Sequence, residues 1–264
     1  MLLQENQKSL SFKDHFNNYF SLEIADNPDL LAQVFKIRYQ VYCQELKYEP
    51  EENFPDGMEK DDYDSHSIHC LLKYQLTGQY IGCVRIVLSK SGQPQKKFPF
   101  EKICADNLSM EITHSNRPKF CEVSRLAVIS EFRKRKGEFT HTVGLGLKKE
   151  RIFHEFQERR KFPNMIPSAL YLASTSMVLE CQLKAFTLME PRLARHLRGC
   201  GLPSDKLGTP VKFHGRRAPF LMDPTIVIDN LVEEQLQLFK QIHPCLSKPV
   251  AQRQQQLYSL ELAS

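Results

Sequence analysis

No apolar run in this 264-residue sequence approaches the ~18 residues needed to cross a bilayer, and the longest candidate, 169–179, is broken by Ser and Thr. Residues 1–20 are polar and lack the basic start and apolar run of a secretory signal, so a soluble, cytoplasmic protein is expected. The eight cysteines contain no CxxC pair and no repeated short spacing, which argues against zinc ribbons and redox pairs. His66, His69 and Cys70, with His196 and Cys200 elsewhere, form no convincing ligand set, so no metal is expected. Scattered free thiols suit a reducing compartment. The GxSxG elbow, the GxxxxGK[ST] phosphate loop, HExxH and GxGxxG are all missing; Gly144 and Gly146 supply only a fragment of the last. Hydrolase, NTPase, zinc protease and dinucleotide enzyme are thereby disfavoured. Glycine (11) and proline (15) are modest and hydrophobic residues reach 41%, which excludes collagen-like and largely disordered chains.

What is present is charge, and it is segregated. The formal net charge is only +5, yet residues 131–161 hold ten Lys/Arg against five Asp/Glu, and residues 45–64 hold nine acidic against two basic residues. Between these lie alternating apolar segments. A short strand over 21–25 precedes a helix over 30–46, with Asn27 and Pro28 as its start signal. The acidic stretch 49–65 reads as a loop, and 67–74 with 80–88 as a hairpin. A helical turn over 98–104 and a strong strand over 120–129 follow. The basic stretch has helical character over 146–158; then come an apolar helix over 167–185, a strand over 186–189 and a helix over 191–199. Strands over 206–214 and 218–228 and a helix over 229–242 complete the pattern. One mixed α/β domain over 1–248, with a six- or seven-stranded sheet, is expected, and 249–264 as a mobile Gln-rich tail.

Four charged elements interrupt the apolar segments: Arg38 inside the first helix; Glu59, Asp61 and Asp64 in the acidic loop; Arg85 in the second hairpin strand; and Glu122, Ser124 and Arg125 in the strongest strand. An arginine in such a strand needs an acidic partner, because an unpaired charge in low dielectric costs several kcal/mol. The loop supplies partners, and a structural ion-pair network is one reading of them.

In order, Arg38 with Tyr42, EKDDYD (59–64), GCVR (82–85), FPFEKI (98–103) and EVSRLAV (122–128) resemble the signature of the acyl-homoserine-lactone autoinducer synthases, a branch of the GNAT acyltransferases. RYQVYCQEL, EVSRLAVISEFRKRKGE, MEPRLARHL and GTPVKFHGRRAPF are more similar still to long-chain N-acyl amino acid synthases and PEP-CTERM/exosortase-associated acyltransferases. The resemblance spans about 30–228. It implies a GNAT-like fold, with a mostly antiparallel sheet whose central strands splay, flanked by helices.

Two departures carry information. The autoinducer synthases have a Trp near the first helix and this chain has none, which favours an ordinary amine acceptor over a sulfonium substrate. In the GNAT pyrophosphate loop, [QR]-x-x-G-x-[GA], Phe139 stands where Gly or Ala belongs, although Gly137 aligns. A poor cradle for free coenzyme A makes an acyl carrier protein, which presents only phosphopantetheine, the expected donor ahead of acyl-CoA. The resemblance thus implies transfer of a fatty acyl group to the amine of an amino acid or related small molecule. The alternatives are an autoinducer synthase or a non-catalytic acyl- or carrier-binding module.

An α-ammonium must lose a proton before it attacks a thioester. The resemblance puts Glu122 forward as that base, with Asp61 as runner-up and Ser124 and Arg125 completing the catalytic set. A β-bulge would bring Glu122 and Arg125 to one face and free an amide near Leu126 or Ala127 for the oxyanion. Leu126, Ala127 and Val128 are the expected acyl-pantetheine contacts. Arg38, Arg85 and Arg125 either clamp an acceptor carboxylate or hold the loop of Glu59, Asp61 and Asp64, with the second role ahead for Arg85. Cys121 reads as a core thiol. Apolar residues of 167–185 line an acyl pocket or only pack the core. In the basic stretch, Arg133, Lys134, Arg135 and Lys136 are either a solvated face or a dock for an acidic carrier. Nucleic acid is not an expected partner, since no recognition module is evident. No tightly bound cofactor is expected, and membrane contact would be transient, through a lipid product.

Overall fold

A computed structural model describes residues 11–262, except 91, 94, 105–107 and 134–163. Helix α1 (Phe12–Tyr19) is capped by Ser11, whose hydroxyl accepts the Asp14 N–H at 3.2 Å, and it runs directly into strand β1 (Phe20–Ile24). Helix α2 (Pro28–Arg38) starts as the sequence predicts: Asn27 Oδ1 accepts the Leu30 N–H at 3.0 Å, and Pro28 occupies the first turn, where its missing N–H costs nothing. Beyond Arg38 the winding loosens into a π-helix, Tyr39–Glu45, a form concentrated at functional sites.

The hairpin strands are β2 (Ser67–Tyr74) and β3 (Gln79–Leu88), joined through Gly78 at φ 74°. There follow α3 (Pro99–Cys104), β4 (Phe120–Val128), α4 (Met165–Glu180), β5 (Lys184–Met189) and α5 (Pro191–Gly199). The helix expected over 146–158 lies outside the described residues.

The last quarter departs from the sequence reading. In place of two long strands there are β6 (Asp205–Lys206), β7 (Val211–Lys212) and β8 (Arg216–Met222), and residues 224–228 belong to helix α6 (Pro224–Asn230). Pro224 cannot donate to a ladder but suits a helix start, and Asp223 Oδ1 caps the turn by accepting the Thr225 N–H at 3.1 Å. The final helix, α7, runs over Glu233–Leu262 and includes the stretch expected as a mobile tail. Leu238, Ile242, Leu246, Val250 and Leu257 recur at helical spacing and are buried, so packing carries the helix through Pro244 and Pro249.

The described strands form one eight-stranded sheet, ordered β1-β2-β3-β4-β5-β8-β6, with β7 on β8. Every pair is antiparallel except β4–β5. That parallel pair spans only Phe120–Val123 against Lys184–Thr187, while β4 continues to Val128, so the two strands splay. On one face α4 packs closely: a Cβ on Gly82 would lie 2.9 Å from the Ala127 carbonyl oxygen and 3.3 Å from Leu170 Cδ1. On the other face lie α2, where Phe35 meets His69 edge-on, and α3, where Phe100 packs on Phe186 at 4.7 Å.

Candidate active site

Strand register decides which side chains share the α2 face. His69 pairs with Arg85, Arg85 with Ser124, and Val87 with Glu122, so these side chains stand on one side of the sheet. After Ser124 the register breaks: Cys83 pairs with Ala127, so Arg125 and Leu126 together oppose Val84. This is a bulge, and Arg125 takes the left-handed φ of 51° that lets its side chain turn to the same face. The bulge lies where β4 leaves β5.

Around it three arginines meet three carboxylates. Arg38, fully buried, reaches Glu59 through Nε and Asp64 Oδ1 through Nη1 at 2.6 Å. Arg85 Nη1 donates to Asp61 Oδ1 at 2.6 Å and to Asp64 Oδ1 at 2.7 Å, and its Nε reaches Ser124 Oγ at 3.2 Å. Arg125 donates through Nε and Nη2 to Glu59 Oε1, at 3.2 and 3.0 Å, and Nη2 lies 3.4 Å from Asp61 Oδ2. Three positive and three negative charges close on one another, which is how the fold tolerates them under α2. Burial pushes Asp61 upward, but the charges of Arg85 and Arg38 outweigh it and hold the carboxyl below its ordinary value. Asp64 is held well below, as the Arg38 and Arg85 charges overcome its burial. His69, 3.5 Å from Asp64 through Nε2, is pushed down to about 3 by burial and stays neutral. Of these residues Arg125 and Asp61 remain partly exposed, at 25% and 23%.

Glu122 stands apart from this network. It is buried, and Oε2 accepts the Phe100 N–H of α3 at 2.9 Å; no ion pair to it occurs among the described residues. Desolvation pushes its carboxyl up to about 8, with the Phe100 N–H and the more distant Arg85 and Arg125 opposing. Helix α3 is pinned beneath it: Glu101 accepts the Phe98 N–H at 2.6 Å and pairs through both oxygens with buried Arg117. Two carboxyls, Asp61 on the acidic loop and Glu122 on the bulged strand, are thus separated in protonation, one kept ionised by its arginines and one largely neutral by burial.

The bulge is also held from outside. The Tyr42 hydroxyl, on the π-helix, donates to the Leu126 carbonyl at 2.9 Å, with Arg125 5.4 Å over its ring. Burial raises that phenol to about 12, so it remains a donor. Sequence reasoning quoted Tyr42 four residues after Arg38 without a role; helical i,i+4 spacing was the available signal. Phe100 lies in the quoted FPFEKI motif, but that its N–H reaches Glu122, and that His69 faces Asp64, is decided by register and packing.

Ala127 and Val128 are buried and Leu126 partly so. Cys121 is buried and its thiol pushed well up by desolvation, the behaviour of a core thiol. Apolar residues of α4, including Leu170, Leu172 and Met177, are buried in the main core. Arg133 pairs with Glu45; Lys134, Arg135 and Lys136, and nearly all of the pyrophosphate-loop stretch, lie outside the described residues. Among the described residues no group of three or more side chains is placed to hold a metal, and no helix is long and apolar enough to cross a membrane.

Residues 37–141 match the family described as Acetyltransferase (GNAT) domain, a segment that runs from the end of α2 past the bulged strand. No curated protein sequence matches the chain. Among solved structures, TofI in a ternary complex with an inhibitor and MTA is similar at a TM-score of 0.51 and 16% identity, covering 81% of this chain and 99% of TofI. BjaI, a CoA-dependent acyl-homoserine lactone synthase with SAM and isopentyl-CoA, is similar at 0.50 and 16%, covering 86% and 89%. FeeM, an N-acyl amino acid synthase from uncultured soil microbes, reaches 0.49 at 12% identity, covering 82% and 96%. Identities this low speak to the fold and not to substrates. Residues 37–141 are thus similar to the GNAT acetyltransferase domain, and the chain's fold is similar to those of TofI and of the acyl-homoserine lactone synthase BjaI.

Proposed function

We propose that the chain is an N-acyltransferase that moves a fatty acyl group from a phosphopantetheine thioester, presented by an acyl carrier protein, to the amine of an amino acid or similar small molecule. The observation that carries this reading is the buried Glu122 carboxyl, raised to about 8, on the face of the splayed strand to which the bulge turns Arg125. A base for an ammonium needs a pKa near that of its working pH, and Asp61, spent on arginines, is too weakly basic. The ionised form of Glu122 takes one proton from the ammonium and passes it to solvent; the free amine attacks the thioester carbonyl; as the tetrahedral intermediate collapses the C–S bond breaks, and the second proton of the nitrogen goes to the departing pantetheine thiolate, leaving amide and thiol.

The remaining roles follow from position. Among the described residues β4 has no strand partner on its β5 side beyond Val123, which leaves room for pantetheine amides to run beside Leu126, Ala127 and Val128. A bulge amide near Leu126 or Ala127 is the proposed oxyanion donor. Arg38, Arg85, Glu59 and Asp64 hold the loop, while Arg125 and Asp61, partly exposed, meet the acceptor. Ser124 orients Arg85. The basic stretch that begins at Arg133 docks the acidic carrier.

The test is thiol release and product mass with the purified chain, acyl carrier protein, acyl-CoA or acyl-pantetheine donors, and a panel of amino acids. An amide product is expected, and Glu122→Gln is expected to lower kcat by about 10²–10⁴-fold. An acyl-homoserine lactone formed from SAM would select the autoinducer-synthase alternative, and no acyl transfer from any donor would leave a binding module. Changing Lys134, Arg135 and Lys136 to Glu should raise KM for the carrier-bound donor far more than for acyl-pantetheine; an equal response would remove the docking role.

A further inference from the structure

Among the described residues the splay between β4 and β5 has an open end. On one side stands the bulge; on the other, β8 pairs with β5 up to Met189 opposite Ala218, and the turn Phe213–Gly215 projects beyond it. A chain of rings joins the two. Tyr42, fixed to the Leu126 carbonyl, stacks on Tyr48 at 6.4 Å and 30°. Tyr48 stacks on His214 at 4.4 Å and 19°. Tyr42 and Tyr48 act as one unit, since the Tyr42 carbonyl accepts the Tyr48 N–H at 2.8 Å and the Glu49 N–H at 3.2 Å. Arg217 lies 6.0 Å from the Tyr48 ring centre, and Phe213 meets the imidazole edge-on at 4.3 Å.

His214 also has φ 45°, a left-handed conformation that glycine or asparagine adopts at lower cost. Its ring, stacked on Tyr48, offsets that backbone cost. Burial and the charges of Arg217 and Arg125 hold that ring neutral against the pull of Glu49, so it stacks as an aromatic and not as a cation.

We propose that Tyr48 and His214 clamp the open end of the splay: by tying the turn before β8 to the bulge they set the separation of β4 and β5, and they are positioning residues for the thioester that enters there. The last clause rests on the acyl-transfer reading; the clamp does not. Hydrogen exchange followed by mass spectrometry on the full chain tests it. His214→Ala and Tyr48→Leu are expected to speed exchange across 124–128 about three- to tenfold, whereas His214→Phe, which keeps the ring, stays at the wild-type rate. In turnover, His214→Ala should raise KM for an acyl thioester with kcat retained, and His214→Phe should restore it. Wild-type exchange at 124–128 in His214→Ala, with changes confined to 211–218, would overturn the clamp, and so would His214→Phe exchanging like His214→Ala. Should Tyr48→Leu fail to fold, the two His214 variants decide it alone. If no variant, nor the wild type, turns over any thioester, the acyl-transfer reading fails while the exchange data still decide the clamp.

Discussion

Glu122 and Asp61 show how one carboxyl chemistry acquires two behaviours. Glu122 is buried beside a single N–H donor and titrates near 8; Asp61 is surrounded by guanidinium groups and stays ionised. The raised value has a stability consequence of definite sign. Between the ordinary value of 4.5 and about 8 the folded state holds a proton that the unfolded state has lost, so the native state weakens as pH rises through that window. Glu122→Gln removes the effect: urea midpoints of wild type and variant should diverge from pH 5 to pH 9, with the wild type falling further. Parallel curves would show that Glu122 is not raised. Arg38 acts in the opposite sense, as a charge that cannot be left alone. Arg38→Met leaves buried Glu59 with Arg125 alone and Asp64 with Arg85 alone, three carboxylates against two guanidinium groups, and is expected to cost about 3–5 kcal/mol by denaturant titration. Arg38→Lys should fare little better, because one ammonium cannot span both carboxylates. These residues were legible in the sequence because charges inside apolar strands demand partners. That the acidic loop partners the arginines was legible too; which carboxylate meets which arginine was not, since Glu59 and Arg125 meet only through folding.

Elements set the angles at which these residues meet. The bulge in β4 was anticipated from the resemblance to GNAT folds, but its support was not: Tyr42, which holds the Leu126 carbonyl, sits on the π-helix that continues α2, and periodicity does not distinguish that winding from α. Gly82 is the matching feature on β3. Any Cβ there would press on the Ala127 carbonyl at 2.9 Å, so Gly82→Ala should either destabilise the chain by about 1–3 kcal/mol or displace β4 from β3. Thermal unfolding read beside turnover separates the two, because a displaced strand lowers kcat out of proportion to Tm. The C-terminal elements were less legible. Apolar residues run on both sides of 223–225, and only Pro224 and the cap from Asp223 to Thr225 mark the change from strand to helix.

Across the whole molecule, the net charge of +5 conceals an acidic loop folded inward onto three arginines and a basic stretch that begins as β4 ends. Helix α7 binds the far face together, and its last turns are part of the core. Truncation after residue 248 exposes the partners of Val250 and Leu257 and should cost about 3–6 kcal/mol, seen as a lowered Tm. An unchanged Tm would mark those turns as dispensable. The sequence by itself determined the mixed α/β class, the elements from β1 to β4 and the set of charged residues at the centre, because hydrophobic period, caps and the cost of a lone buried charge act locally along the chain; the opening helix α1 was not among them. Tertiary structure alone decided which carboxyl is ionised, where β4 and β5 part, and that rings from 42, 48 and 214 meet across the gap. Those outcomes depend on desolvation, register and contact between segments far apart in the chain, which no local pattern encodes.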